Sequence, residues 1–339
     1  MFSIALAIAF SVVSFSGDAA GRHPARSREA PSHEAGKVKA PIEATAVNDP
    51  GLNEVVGPGA RGAAVLRAQI LLARAHFSCG VVDARYGANL RGAIADFQSA
   101  HGLEVSGNVG EETWRFLNAD KAPALVRVAI APEDVAGPFV PVPEEMMEKA
   151  NVPALSYSSP LEGLAEKYHS SPALLKKLNP GSRFDRAGEE ILAPSVDAAP
   201  PGKAASVVVS RSRRSVAALD AEGRILSRYP ATSGSEHDPL PIGRWKILGV
   251  SRDPSFHYNP ELFWDAKESD GKAVIPPGPN NPVGVAWIDL SREHYGIHGT
   301  PEPSQIGKTQ SHGCIRLTNW DVTELSKMVG PRTPAILEE

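Results

Sequence analysis

Cysteine is nearly missing from this chain of 339 residues, which holds only Cys79 and Cys314. One disulfide is the most it could form, and the two surroundings argue against even that. Cys79 lies far upstream in a segment read as helical, where a small buried apolar residue fits, while Cys314 stands among histidines and glycines. Two free thiols are expected. Charge of one sign is missing too: 35 basic residues face 39 acidic ones for a net charge of −4, so there is no electrostatic footprint for nucleic acid. No second cysteine pair and no HExxH spacing is present to build a standard zinc centre. Long hydrophobic runs are also missing. The apolar stretch from Ile4 to Val13 ends near Phe15, short of the ~20 residues that cross a bilayer. Gly17-Asp18-Ala19 follows it as a small-x-small cleavage site, so residues 1–20 read as a secretory signal despite the lack of Lys or Arg ahead of the apolar run.

Glycine and proline are plentiful, at 30 each, and their distribution suggests modules joined by linkers. Residues 21–50 have no periodic apolar spacing and read as a disordered leader. A second linker is expected over residues 121–153, where Pro123, Pro132, Pro138, Pro141 and Pro143 interrupt any long helix. The third is the short Ala198-Ala199-Pro200-Pro201-Gly202. The modules between them span residues 51–120, 154–196 and 205–338.

In the first module Val65, Ala68, Leu72 and Ala75 recur at helical spacing, Ile94 and Phe97 do so again, and Trp114 with Leu117 marks a third helix. This predicts a small all-α three-helix bundle. The second module shows two short helices around Leu161–Tyr168 and Leu174–Leu178, with a strand from Glu190 to Ala193, a small α+β unit. From Ser206 the period changes to that of strands. Val207–Val209, Val216–Leu219, Ile225–Tyr229, Trp245–Val250 and Val285–Leu290 predict a mainly-β sandwich or barrel. One helix, Trp320 to Val329, is expected to pack beside the site.

The chemistry is concentrated in YGIHGTPEPSQIGKTQSHGCIRLTNWD, Tyr295 to Asp321. It combines the Cys314 thiol, the imidazoles of His298 and His312, and glycines at 299 and 313 that let backbone approach a ligand. A free thiol with a pKa near ~8.5 is only slightly ionised at neutral pH, so nucleophilic use calls for a nearby imidazole or backbone dipoles. A histidine can take the thiol proton, return it to a leaving amine and later deprotonate an acceptor. Backbone N–H groups of the turn 312–314 suit an oxyanion. A zinc site joining His312 and Cys314 to His294 and His298, or purely structural histidines, stays open on spacing alone but ranks behind thiol acyl transfer.

Three resemblances sharpen these readings. Residues 65–117, with Val82-Asp83, Tyr86-Gly87, Phe97-Gln98, Gly102-Leu103, Gly107, Gly110 and Thr113-Trp114, resemble the peptidoglycan-binding-domain-1 family, departing from it where Ala84 replaces the usual glycine. The AEKYHSSPALLKKLNPG segment resembles a degenerate LysM module, with Pro160-Leu161-Glu162 in place of the usual Gly-Asp. Residues 206–337 resemble the L,D-transpeptidase catalytic domain (YkuD family), through His298-Gly299, Ser311-His312-Gly313-Cys314, YPATSG, PIGRW and NPVGVAWIDL.

The last resemblance implies an enzyme with no metal and no other cofactor. Cys314 would be the nucleophile and His298 the proton carrier, oriented by the Gly299 carbonyl. His312 and Gly313 would join Cys314 in the oxyanion turn, Ser311 and Tyr295 would support it, and Arg316 would hold a substrate carboxylate. Implied partners are peptidoglycan stem peptides and glycan, with carbapenems as covalent inhibitors and no nucleic acid. The implied location is outside the cytoplasm, in the periplasm or wall. A non-catalytic wall-binding protein and an L,D-carboxypeptidase are the rival readings.

Overall fold

The computed structural model describes residues 42–339; the expected signal segment and most of the leader lie outside them. The last residues assigned to that leader are ordered: α1 (Ala44–Asn48) buries Val47 completely against the first module. The bundle then follows as α2 (Ala63–Arg74), α3 (Ala88–Ala100) and α4 (Glu111–Leu117), closed on Leu66, Ile70, Phe97 and Trp114. Gln98 explains the turn between α3 and α4. It is 1% exposed, its amide donates to Asn108 O and Thr113 Oγ1, and its carbonyl accepts from the Ser106 and Gly107 N–H groups. A buried amide is thereby satisfied on both sides. Ala84 adopts φ +59°, the left-handed conformation that glycine occupies freely and that costs an L-residue roughly 1–2 kcal/mol. Cys79 lies in the loop beyond α2 and not in a helix, though it is buried and free as expected.

The segment read as a proline-rich linker is partly a building block. It supplies β1 (Leu125–Ala129) and α5 (Met146–Lys149). After α6 (Pro160–Lys167) and α7 (Pro172–Leu178), β2 (Glu190–Pro194) returns to pair antiparallel with β1. Prolines at the first turn and caps from Ser159 and Ser171 start the two helices, placing Pro where no backbone donor is needed. The linker reading fails here because the partner of β1 arrives only after two intervening helices, outside the reach of local pattern.

The C-terminal module contains β3 (Ser206–Ser210), β4 (Ser215–Leu219), β5 (Ile225–Pro230), β6 (Thr232–Ser233), β7 (Gly243–Arg252), β8 (Phe256–Tyr258), β9 (Ala273–Ile275), β10 (Ala286–Leu290), β11 (Gly296–His298), β12 (Ile315–Arg316), α8 (Asn319–Met328) and β13 (Pro334–Glu338). Nine of these strands form one mixed sheet in the order β5-β4-β3-β13-β7-β10-β11-β12-β6. Its two ends, β5 and β6, are separated in sequence by Ala231 alone. Laid flat at ~4.8 Å per strand, such edges would stand roughly 38 Å apart. The sheet therefore curls on itself, which is the barrel-like form of the expected β architecture. Val207, Val216, Ile247, Ile288, Ile297, Ile315 and Leu337 fill the interior, with Val322 and Leu325 of α8 packed against them.

The modules are not strung like beads, because residues 41–339 form one compact unit. The loop after α2 lies along β5: Ser78 N–H donates to Arg228 O and Arg228 N–H donates to His76 O, both at 2.8 Å. A free sheet edge is thus covered by the helical module. Arg228, 2% exposed, forms an ion pair with Asp96 of α3 at 3.0 Å and donates to Ser78 O.

Candidate active site

Strands β11 and β12 run parallel in the register Ile297↔Ile315 and His298↔Arg316. Ile297 and Ile315 are fully buried in the barrel core, so strand alternation turns His298 and Arg316 to the opposite face. Cys314 lies in the bend one residue before β12, where the Gly296 N–H of β11 and the Arg316 side chain are its neighbours. One pair of neighbouring strand ends therefore brings together thiol, imidazole and guanidinium.

His298 is 4% exposed and held on two sides. Its Nδ1 lies 2.7 Å from the Gly299 carbonyl oxygen. A carbonyl can only accept, so Nδ1 carries the proton and the neutral ring presents the Nε2 lone pair. Trp287, paired with His298 across β10 and β11, stacks on the imidazole at a centroid distance of 5.3 Å and 14°. Gly296 is required beneath this stack, since any Cβ there would collide with the Trp287 ring. Burial first, and the Arg316 charge second, lower His298 to about 3, against the opposing effect of the Gly299 carbonyl.

Cys314 is half-buried, and its thiol donates to the His294 carbonyl oxygen at 3.5 Å. Burial pushes the thiol up; the Gly296 backbone N–H and Arg316 pull it down, and Asp238 adds to the rise. The site as folded favours a neutral thiol and a neutral imidazole. Arg316 is lowered by burial and raised by the neighbouring Cys314, Glu302 and Asp265. Among the described residues it makes no ion pair within 4.0 Å, which leaves its fork of donors for a ligand.

The turn before Cys314 is clamped by Ser311. Its hydroxyl donates to Cys314 O at 2.6 Å and accepts from Gly234 N–H at 2.7 Å. Gly313 has φ +95°, and a Cβ there would meet the Tyr295 ring at 2.7 Å. The Cε1–Cζ–OH end of Tyr295 thus packs against the turn backbone, which is a positioning contact. The His312 Nε2 lies 2.8 Å from Asp265 Oδ1, and Phe263 and Trp264 pack on its ring. These three come from the connection between β8 and β9, which covers this side of the turn. The other zinc-reading residue, His294, is exposed and faces Glu293 at 3.6 Å.

Sequence reasoning missed Trp287, Gly296, Asp265 and Asn319 as parts of the site. Asn319, 2% exposed at the start of α8, accepts on Oδ1 from Thr300 N–H and Val285 N–H, and donates from Nδ2 to Pro279 O and to both carboxylate oxygens of Glu166. Its place in the quoted motif was visible; its partner, 153 residues upstream, was not. Burial pushes Glu166 up to about 7, against the hydrogen bonds from Asn319 and Tyr157.

Comparison with known proteins adds to this geometry. Residues 204–337 match the YkuD family, described as L,D-transpeptidase catalytic domain, and residues 61–117 match PG_binding_1, described as "Putative peptidoglycan binding domain". The "Putative L,D-transpeptidase YkuD" of Bacillus licheniformis is 32% identical over 171 residues, covering 50% of this chain and 87% of that protein. Its namesake in Bacillus subtilis is 30% identical over 170 residues with the same coverage. Among solved structures, L,D-transpeptidase 3 from Mycobacterium tuberculosis, in complex with a faropenem-derived adduct, is 17% identical with a TM-score of 0.33, covering 46% of this chain and 71% of that one.

Proposed function

Since the chain belongs to the L,D-transpeptidase (YkuD) family and is an enzyme of that type, we propose that it cross-links peptidoglycan through a thioester on Cys314. The observation that supports this reading is the β11–β12 register, which pairs His298 with Arg316 two residues after Cys314.

The donor is a tetrapeptide stem. His298 Nε2 takes the thiol proton as sulfur attacks the carbonyl of the third, meso-diaminopimelate-like residue, and backbone N–H groups of the turn 312–314 receive the negative charge on oxygen. The C–N bond to the terminal D-alanine breaks, and its amine leaves with the proton from His298. An acceptor amine then attacks the thioester and passes its proton through His298 as the C–S bond breaks, regenerating the thiol. Arg316 holds a donor carboxylate, while Ser311 and Tyr295 keep the turn in shape. A carbapenem, whose strained lactam carbonyl is attacked in the same way, would acylate Cys314 irreversibly. The peptidoglycan-binding-type helical module holds wall polymer near the cleft, so the site of action lies outside the cytoplasmic membrane. No helix among the described residues is long and apolar enough to cross a membrane.

Incubating the enzyme with disaccharide-tetrapeptide and following products by mass spectrometry tests the proposal. A cross-linked dimer formed with loss of D-alanine, and absent with Cys314→Ala, is expected. Tripeptide alone would make the enzyme an L,D-carboxypeptidase, and unchanged substrate with both proteins would sink the catalytic reading in favour of wall binding.

The charge state of the site predicts an unusual pH profile. A base with a pKa near ~6.5 would be about nine-tenths protonated at pH 5.5, slowing acylation roughly tenfold relative to pH 7.5. A His298 lowered to about 3 keeps its lone pair at both values. The rate of carbapenem acylation is therefore expected to change less than about twofold between them; a tenfold fall would show an imidazole of ordinary basicity.

A further inference from the structure

We propose that Glu166, on α6 of the second accessory module, is a positioning residue for the catalytic imidazole and acts on it through Asn319. The inference rests on the reading of His298 as the base.

The connection is a continuous set of short contacts. Glu166 Oε1 and Oε2 accept from Asn319 Nδ2 at 3.0 and 3.2 Å, and Oε1 also accepts from Tyr157 OH at 3.0 Å. Asn319 Oδ1 accepts from Thr300 N–H at 3.1 Å and Val285 N–H at 3.3 Å. The same oxygen lies so close to Gly284 and Gly299 that a Cβ at either position would collide with it. The Gly299 carbonyl, in the peptide unit leading to Thr300 N–H, is the acceptor that fixes His298 Nδ1. The peptide that orients the imidazole is thus held on its N–H side by Asn319.

A side-chain amide has two nearly isosteric ends, and only its partners decide which end faces where. Here the oxygen must face Thr300 N–H. Reversal would set two donors against each other in a buried site, leaving both unsatisfied. Glu166 supplies acceptors on the far side and so holds the amide the right way round. The catalytic module contributes Pro279 O to the same Nδ2 at 3.1 Å, but both carboxylate oxygens come from the accessory module. That module is also pinned to the neighbouring loop, where Asn280 Nδ2 donates to Glu162 Oε1 and Ser156 O, and Leu155 N–H donates to Pro277 O. The second module therefore completes the support of the active-site histidine in addition to any contact it makes with the wall.

The test is a polarity swap in the full chain. Glu166→Gln can turn an amide N–H₂ toward the Asn319 N–H₂, and Asn319→Asp removes the Nδ2 donor and sets an acceptor against Pro279 O and Glu166, a conflict that a proton on Glu166 relieves only on one side. Each single variant is expected to lower the maximal rate of Cys314 acylation by a carbapenem about 10- to 100-fold, the size of effect that loss of alignment produces, with the half-saturating concentration changed less than about twofold. When both substitutions are combined, the introduced amide donates to the introduced carboxylate, whose other oxygen still accepts from Thr300 N–H. Recovery to within about fivefold of wild type is expected. Wild-type rates in the single variants, a double variant slower than either single, or losses matching the unfolded fraction seen by circular dichroism would each overturn the proposal. A wild-type chain that no carbapenem acylates would instead refute the functional reading beneath it.

Discussion

Replacing His298 with alanine is expected to slow acylation of Cys314 about 10²- to 10⁴-fold, the contribution typical of a positioned general base. Two features support this range, while the low basicity of a ring lowered to about 3 keeps it from the upper end. The thiol is pushed up by burial, so without a base it has little tendency to ionise. The ring is also held in one tautomer and one plane, because Gly299 O fixes the other nitrogen and Trp287 stacks on it. Stopped-flow loss of carbapenem absorbance measures the rate, and alkylation at high pH checks that the thiol is present and accessible. A loss below about threefold would show that another group takes the proton.

The second large effect is on stability. Asp96→Ala leaves the Arg228 guanidinium buried at the junction of the helical module and β5 without its carboxylate, and breaking one side of a buried pair costs about 3–5 kcal/mol. Asp96 also accepts from Arg213 at 2.9 Å, which adds to the loss. Urea denaturation followed by tryptophan fluorescence is expected to show a large drop in the first midpoint, with the helical module separating from the sheet edge. Replacing both partners, as Asp96→Leu with Arg228→Met, is expected to recover most of the stability, since hydrophobic pairs of similar volume commonly match a buried ion pair. An Asp96→Ala protein within about 1 kcal/mol of wild type would show that water reaches Arg228 and that the junction is looser than its hydrogen bonds suggest.

How much was legible differs between elements. Helices α2, α3, α4, α6, α7 and α8 were visible because an apolar stripe at helical spacing is a local signal. Strands β3, β4, β5, β7 and β10 were visible for the same reason at period two. The short strands β6, β11 and β12 were not, because two or three residues carry no readable period and their identity depends on neighbours that arrive from elsewhere. Those same short strands form the site. Likewise β1 falls in a stretch that reads as linker, since its partner β2 follows only after α6 and α7.

What the sequence determined by itself was the inventory and its type. One thiol among two histidines and two glycines ranked acyl transfer ahead of a metal site or structural histidines, and the SHGC motif with its upstream His-Gly identified the family. The tertiary structure alone decided the arrangement. Parallel pairing of β11 with β12 put His298 beside Arg316, two residues after Cys314. Burial set the thiol and imidazole neutral, Asp265 drew His312 toward the β8–β9 connection, and Glu166 reached the site from another module. Each of these depends on contacts between residues distant in the chain, and distance through space is what a local pattern of residues does not encode.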